Sequence, residues 1–359
     1  MADVDVRKGM PETKLDREEF GRRFRQLFYD PAFGPKQEQI SELLNIAWDA
    51  YDNARKSPRT VAAGPGFADP AYELSIEWLA ARNAIGEAKA RYDDPRSPHR
   101  ILLINGSMRS DQTCPGEISK SWRLTQIAAE TVKAEGDFEF EVLDLSRLTS
   151  EYGRRIFPCK SCVSTAMPLC HWPCSCYPNH SLDQINDWMN DIYPMWVAAH
   201  GIMIVTPVNW YQTPSGLKSM IDRLVCADGG NPDPTSTHGK DPEKAKKLEL
   251  DGWPYPRHLA GRVFSTIVHG DTTGVDGLTR NLSDWLSDMG LVSAGHMSEL
   301  GRYIGYYGTY AESHAALDAD QAVQEETRLA AATLVNAVRL NRSGKLPHPD
   351  DGLKEPRPK

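Results

Sequence analysis

From Arg100 onward, short apolar runs alternate with stretches of helical periodicity, and this alternation limits the possible folds more than any other feature of the chain. Residues 101–105 (ILLIN), 201–206 (GIMIVT) and 262–269 (RVFSTIVH) are apolar nearly throughout. Successive strand residues point to opposite faces, so such runs need cover on both sides. Helical patterns follow at 119–134, 214–225 and 275–289. Residues 138–145 (FEFEVLDL) read as a second, alternating strand, and 292–300 as a weaker fifth. The expectation is an α/β fold with an open, doubly wound, five-stranded parallel sheet. Ligands of such sheets bind beyond the carboxyl ends of the strands, near the switch in strand order. The loops to inspect therefore follow Asn105, Thr206 and His269.

The flanking sequence is different. Residues 1–98 read as a helical N-terminal extension, with apolar positions at helical spacing in 15–29, 38–54 and 71–92 and a Gly- and Pro-rich loop at 57–70. Residues 99–310 form the expected body, in which 181–199 reads as a helix with Ser181 as its N-cap and 227–258 as a surface insertion. Residues 311–359 supply the end of a helix spanning 310–340 and a tail of disordered composition.

The net charge of −8, with no long basic run, argues against nucleic-acid binding. The most apolar stretch, 193–211, is interrupted by Pro194, His200, Gly201, Pro207 and Asn209, whereas a spanning helix needs about 20 mostly apolar residues. The N-terminal residues have no apolar signal core and are partly acidic, so a cytoplasmic location is expected.

The first loop, GSMRSDQTCPGEISKSWRL (106–124), offers a Gly for a tight turn, hydroxyls at Ser107 and Ser121, the Arg109 fork, and the free amides of a helix start. These groups suit a phosphate, although the loop alone equally fits a solvated strand-to-helix connection. It has neither dinucleotide-binding nor P-loop spacing. The second loop, TPVNWYQTPSGLKSMIDRL (206–224), sets Asn209, Trp210 and Tyr211 where a flat heteroaromatic ring could lie, or where two aromatics could pack at an interface. The third, HGDTTGVDGL (269–278), has three glycines that permit close backbone approach.

Together the three loops resemble those of the NADPH-dependent FMN reductase family of flavodoxin-like proteins, over roughly 100–303. The most specific part is T-P-V-x-W-x-x-x-P-x-x-L-K-x-x-I-D-R-L at 206–224. The resemblance implies a flavodoxin-like sheet of order 2-1-3-4-5, FMN as cofactor and NAD(P)H as co-substrate. It implies that Ser107, Arg109, Ser119, Lys120 and Ser121 hold the FMN phosphate. Pro207, Val208, Asn209, Trp210 and Tyr211 would then contact the isoalloxazine, with His269, Gly270, Asp271 and Gly274 along its other edge. The family often has Tyr where Asn209 stands, which leaves either Trp210 or Tyr211 to cover the ring. No catalytic acid or base is obligatory, because the flavin carries the electron chemistry. Tyr211 and His269 are possible proton donors to a reduced acceptor. A homodimer or homotetramer acting on a small-molecule acceptor such as a quinone or flavin is expected by the same analogy.

One segment is not accounted for by this resemblance. Cys159, Cys162, Cys170, Cys174 and Cys176 fall within 18 residues, spaced C-x2-C-x7-C-x3-C-x-C. Such clustering in a cytoplasmic chain points to metal or redox chemistry before structural disulfides. The open readings are a [4Fe-4S] cluster, a tetrahedral zinc, or free redox-active thiols. Some iron-sulfur flavoproteins of this fold carry a compact cysteine motif before the ring loop, and the segment resembles theirs in position, with longer spacing. An iron-sulfur electron carrier and a redox sensor acting on a protein partner are therefore the alternatives to a reductase. Cys114 and Cys226 read as isolated small apolar residues.

Overall fold

The computed structural model describes residues 6, 13–111, 118–305 and 308–347. Helices α1 (Arg17–Arg25) and α2 (Gln37–Asp52) pair as a hairpin, with Phe20 stacked on Tyr51 at 4.8 Å between ring centroids. The 57–70 loop contains strand β1 (Thr60–Ala62), paired antiparallel with β2 (Glu73–Ser75). That pairing takes up residues expected to be helical, so α3 (Ile76–Asp93) starts later, where Ser75 Oγ accepts from the Trp78 amide.

The body then runs through β3 (His99–Asn105), α4 (Lys120–Lys133), β4 (Phe138–Asp144), α5 (Arg147–Ser150), α6 (Met189–Ala198), β5 (Gly201–Pro207) and α7 (Ser215–Arg223). It continues with α8 (Pro242–Leu250), β6 (Val263–Gly270), α9 (Val275–Asp288), β7 (Val292–Ser293), β8 (Glu299–Tyr303), α10 (Tyr310–Ala319) and α11 (Gln321–Arg342). The sheet order is β4-β3-β5-β6-β7, with β8 also paired to β6, and every pairing is parallel. The architecture is therefore α/β and flavodoxin-like, with helical extensions at both ends. The expected fifth strand is two strands: β7 pairs with the start of β6 and β8 with its end. Gly295, at φ 127°, turns the chain out between them.

Strand alternation sorts the core. Leu102, Ile104, Ile202, Ile204 and Phe264 face one layer with Ile85 and Ala88 of α3 and Ile192, Tyr193 and Trp196 of α6. Ile101, Leu103, Met203, Val205 and Ile267 face the other, with Leu124 and Ala128 of α4 and Leu334 and Val338 of α11. Each fully buried aliphatic side chain contributes roughly 1.5–3 kcal/mol, which holds the strand ends in register for the loops they carry.

Three further expectations change. The helix read from 181 begins only at Met189, because Asp183 and Asn186 take left-handed φ of 53° and 55°. Ser181 instead donates to Asn179 Oδ1. The last helix breaks at Asp320, whose carboxylate caps α11 by accepting from the Val323 amide. The 227–258 segment is partly core: Thr235, Thr237 and Ala245 are buried, and Thr237 Oγ1 lies 2.9 Å from His171 Nε2. Cys114 and residues 348–359 of the tail lie outside the described residues. No described helix is long and apolar enough to cross a membrane.

Candidate active site at the carboxyl edge of the sheet

Strand β3 ends in the buried Asn105, whose amide donates to Asp144 Oδ1 at 2.8 Å and to the Arg109 carbonyl at 3.3 Å. Asn105 Oδ1 accepts from the Ser107 amide, and Ser107 Oγ from the Arg109 amide, giving two consecutive side-chain-closed turns. Gly106 is required here, since a Cβ would sit 2.7 Å from Leu217 and 2.9 Å from Thr206. Across the loop, Ser119 caps α4 by accepting from the Trp122 amide and donates its hydroxyl to the Arg109 carbonyl at 2.8 Å. Arg109 is thus fixed through its backbone, while its Nε and Nη2 are enclosed with no hydrogen-bond partner among the described residues.

The second loop follows β5. Asn209 and Gln212 exchange backbone hydrogen bonds around a two-residue turn in which Trp210 and Tyr211 both have positive φ, 48° and 66°. This is the type I′ pattern, normally reserved for Asn and Gly. It pushes both rings outward: Trp210 is 95% exposed and Tyr211 63%. Next in the chain, Thr213 Oγ1 is buried without a partner among the described residues. The Val208 amide donates to the His269 carbonyl at 2.8 Å, which joins this loop to the third. Gly274, at φ 92°, lies against Val208 and Tyr211, where a Cβ would come within 3.0 Å of Val208 and 3.3 Å of Tyr211 Cα.

The first and third loops are also linked. Ser121 Oγ lies 2.7 Å from His269 Nε2, and Lys120 Nζ donates to Asp271 Oδ1 at 3.1 Å and to the Ile304 carbonyl at 3.0 Å. Burial, reinforced by Lys120, holds His269 down to about 3. The imidazole is therefore neutral at physiological pH, with Nδ1 enclosed and without a partner among the described residues. A neutral, engaged ring is a poor source of a proton, so the geometry does not favour His269 as the proton donor considered from sequence. The structure thus places Ser107, Arg109, Ser119, Lys120, Ser121, Pro207 to Tyr211, His269 to Asp271 and Gly274 along one edge of the sheet. Sequence reasoning missed Asn105, Asp144 and Thr213; a polar residue closing an apolar strand was the available signal for Asn105.

The cysteine segment is built differently from the expectation. Among the described residues no group of three His, Cys, Asp or Glu side chains is arranged to hold a metal ion, so the five-cysteine ligand set of Cys159, Cys162, Cys170, Cys174 and Cys176 is not assembled. Protein contacts hold the segment instead. Cys170 packs in the apolar layer beside Trp172, and Cys159 lines a separate cleft with Val163, Ile221 and Trp285. The Arg223 guanidinium, fully buried, donates to Asp187 at 2.5 and 3.2 Å and to the Phe157 carbonyl at 2.9 Å, which clamps both ends of the segment to α7. Burial raises the Cys170 thiol, and a hydrogen bond with Cys176 together with burial raises that of Cys174. Cys162 goes the other way, to about 7, through its hydrogen bond with Cys176 and the nearby Lys240.

An open parallel sheet with polar and aromatic groups gathered at its carboxyl edge defines the class: a flavodoxin-like α/β protein, with its candidate site on the strand-end loops. Residues 99–298 match the family model described as NADPH-dependent FMN reductase, and the chain belongs to that family of flavin-dependent oxidoreductases. Similar solved structures include RosB with a bound 8-demethyl-8-formylriboflavin-5'-phosphate intermediate, at 15% identity and TM-score 0.48 over 69% of this chain and 81% of that one. Others are an NADH:FMN oxidoreductase in apo form (14% identity, TM-score 0.35, 70% and 92% covered) and a WrbA-like flavodoxin protein from Agrobacterium tumefaciens (10%, 0.33, 68% and 99%). No curated protein matches the sequence.

Proposed function

We propose that the protein is an FMN-dependent oxidoreductase that takes electrons from NAD(P)H and delivers them to a small acceptor such as a quinone or free flavin, working as a homodimer or homotetramer. The observation that carries this reading is the half-buried Arg109 side chain beside the first turn of α4, whose Nε and Nη2 are enclosed and, among the described residues, unpartnered. Enclosed donors left unpaired are costly, and an anion there would satisfy them. Ser107, Arg109 and the amides at the start of α4 would hold the FMN phosphate. FMN, when bound, supplies hydride acceptance and one- or two-electron transfer.

The chain's own residues bind and orient. Pro207, Val208, Asn209, Trp210 and Tyr211 would lie along the ring, with the exposed Trp210 and Tyr211 as aromatic cover. Ser119 holds the Arg109 carbonyl, His269 fixes the Ser121 hydroxyl, and Lys120 pins Asp271 across the gap to the third loop. Tyr211, largely exposed, is better placed than His269 to hand a proton to an acceptor. Arg109→Ala is expected to fold normally but to retain at least about tenfold less FMN, equivalent to the loss of about 1.4 kcal/mol of a charge-assisted contact. Flavin absorbance per chain after gel filtration measures it, and undiminished FMN content would overturn the assignment. Bleaching of the wild-type flavin by NADPH, with recovery on adding quinone, tests the reaction itself.

A further inference from the structure

The cysteine segment brings Cys176 against Cys162 as well as its near neighbour Cys174, and the flavin site uses none of them. Cys162 Sγ and Cys176 Sγ lie 3.5 Å apart, and Lys240 Nζ lies 3.6 Å from Cys162 Sγ. The two sulfurs come from opposite ends of the segment. Cys162 opens a 3-10 turn directly after Ser161, which has a left-handed φ of 51°, and Cys176 is buried beside Tyr177. Lys240 comes from the 227–258 segment and is held by donating to the Leu169 carbonyl at 2.8 Å, so its charge is fixed at the sulfur. Cys162 is only half-buried. Lys240 also lines a cleft of about 290 Å³ with Lys56, Ser175 and Tyr177, so a small solute in the cleft is one side chain away from the pair.

We propose that Cys162 and Cys176 are a redox-active dithiol that hydrogen peroxide converts to an intrachain disulfide. The Cys162 thiolate, stabilised by Lys240, attacks one peroxide oxygen. An S–O bond forms, the O–O bond breaks, and the departing oxygen leaves as water after taking up a proton. Cys162 is then a sulfenic acid. The Cys176 sulfur attacks Cys162 Sγ, the S–S bond forms, and the sulfenic oxygen leaves as a second water with the Cys176 proton. In sum, two thiols and one peroxide give one disulfide and two waters: the cysteines are oxidised and the peroxide reduced. Cys170 and Cys174, whose thiols are held protonated, are not the attacking groups.

The test uses the reduced full-length chain, treated with about one equivalent of hydrogen peroxide, alkylated, digested and mapped by mass spectrometry. The expected result is loss of two of the seven thiols, a single Cys162–Cys176 cross-linked peptide, and recovery of both thiols with dithiothreitol. In Cys176→Ser the second step is blocked, and a dimedone adduct should accumulate on Cys162. A Cys174–Cys176 bridge, an adduct on another cysteine, or a purified chain whose cysteines carry a stoichiometric metal would each overturn the proposal. The readout needs no flavin, so its failure leaves the reductase reading untouched, and loss of that reading leaves the dithiol standing.

Discussion

Trp210 and Tyr211 occupy the two positions of a tight turn where side chains are least welcome. A left-handed φ costs a non-glycine residue on the order of 1 kcal/mol, and neither ring recovers it by burial. Strain without packing benefit belongs with a surface used for contact, here the proposed ring cover. Trp210→Gly is accordingly expected to leave stability within about 0.5 kcal/mol of wild type while lowering NADPH-driven quinone reduction severalfold. A thermal melt beside a steady-state assay checks it. A drop of several degrees in Tm with activity intact would mean that the ring packs rather than serves the site. Arg109 is the mirror case, with its backbone satisfied and its Nε and Nη2 without a partner among the described residues.

At the scale of elements, the cysteine segment depends on one buried ion pair. Arg223 ends α7 and Asp187 precedes α6, so a single contact joins two helices and the Phe157 carbonyl. Removing one partner of a buried pair leaves the other charge stranded, at a cost of about 3–5 kcal/mol. Asp187→Ala should therefore lower the urea midpoint and make the cysteines react faster with a thiol reagent. An unchanged midpoint would show that the pair is dispensable. The I-D-R-L run was visible in the sequence, but the partner of Arg223 was not, because 36 positions and an irregular loop separate them. The strands were readable for the opposite reason. Double-sided burial leaves an unbroken apolar run, which is local information, and β3, β5 and β6 lie where those runs fall. The three site loops followed from the strand ends. The breaks at Asp183, Gly295 and Asp320 did not, since left-handed turns and caps need only one residue each and leave no period. The cysteine spacing suggested a metal because sequence distance cannot say which sulfurs meet; the fold brings Cys162 to Cys176 and sends Cys159 elsewhere.

Across the whole molecule, enclosed histidines tie stability to pH. His269 is held down to about 3 and His200 to about 4, both chiefly by burial, and burial lowers His171 well below its ordinary value. They anchor separate regions: His269 the third strand-end loop to the start of α4, His200 the start of β3 through the Arg100 amide, and His171 the cysteine segment through Ser175 and Thr237. In the unfolded chain each titrates near 6.5. Below that pH the unfolded state binds protons that the folded state refuses, so stability falls as pH drops from about 6.5 towards 4 and on to about 3. Above 6.5 these groups are neutral in both states and contribute no slope. Each can cost up to about 1.4 kcal/mol per pH unit inside that window. Carboxylates held below their usual range act in the same direction but lower, as with Glu19 at about 2 beside Arg22 and Arg23. Urea unfolding at pH 7, 6 and 5 should therefore show a clear loss by 5, before the carboxylates protonate. His200→Phe should flatten part of that slope by removing one titrating group from a site already stacked against Tyr92. Equal stability at pH 7 and 5 in the wild-type chain would mean that these imidazoles take up protons in the folded state and are less enclosed than their contacts require.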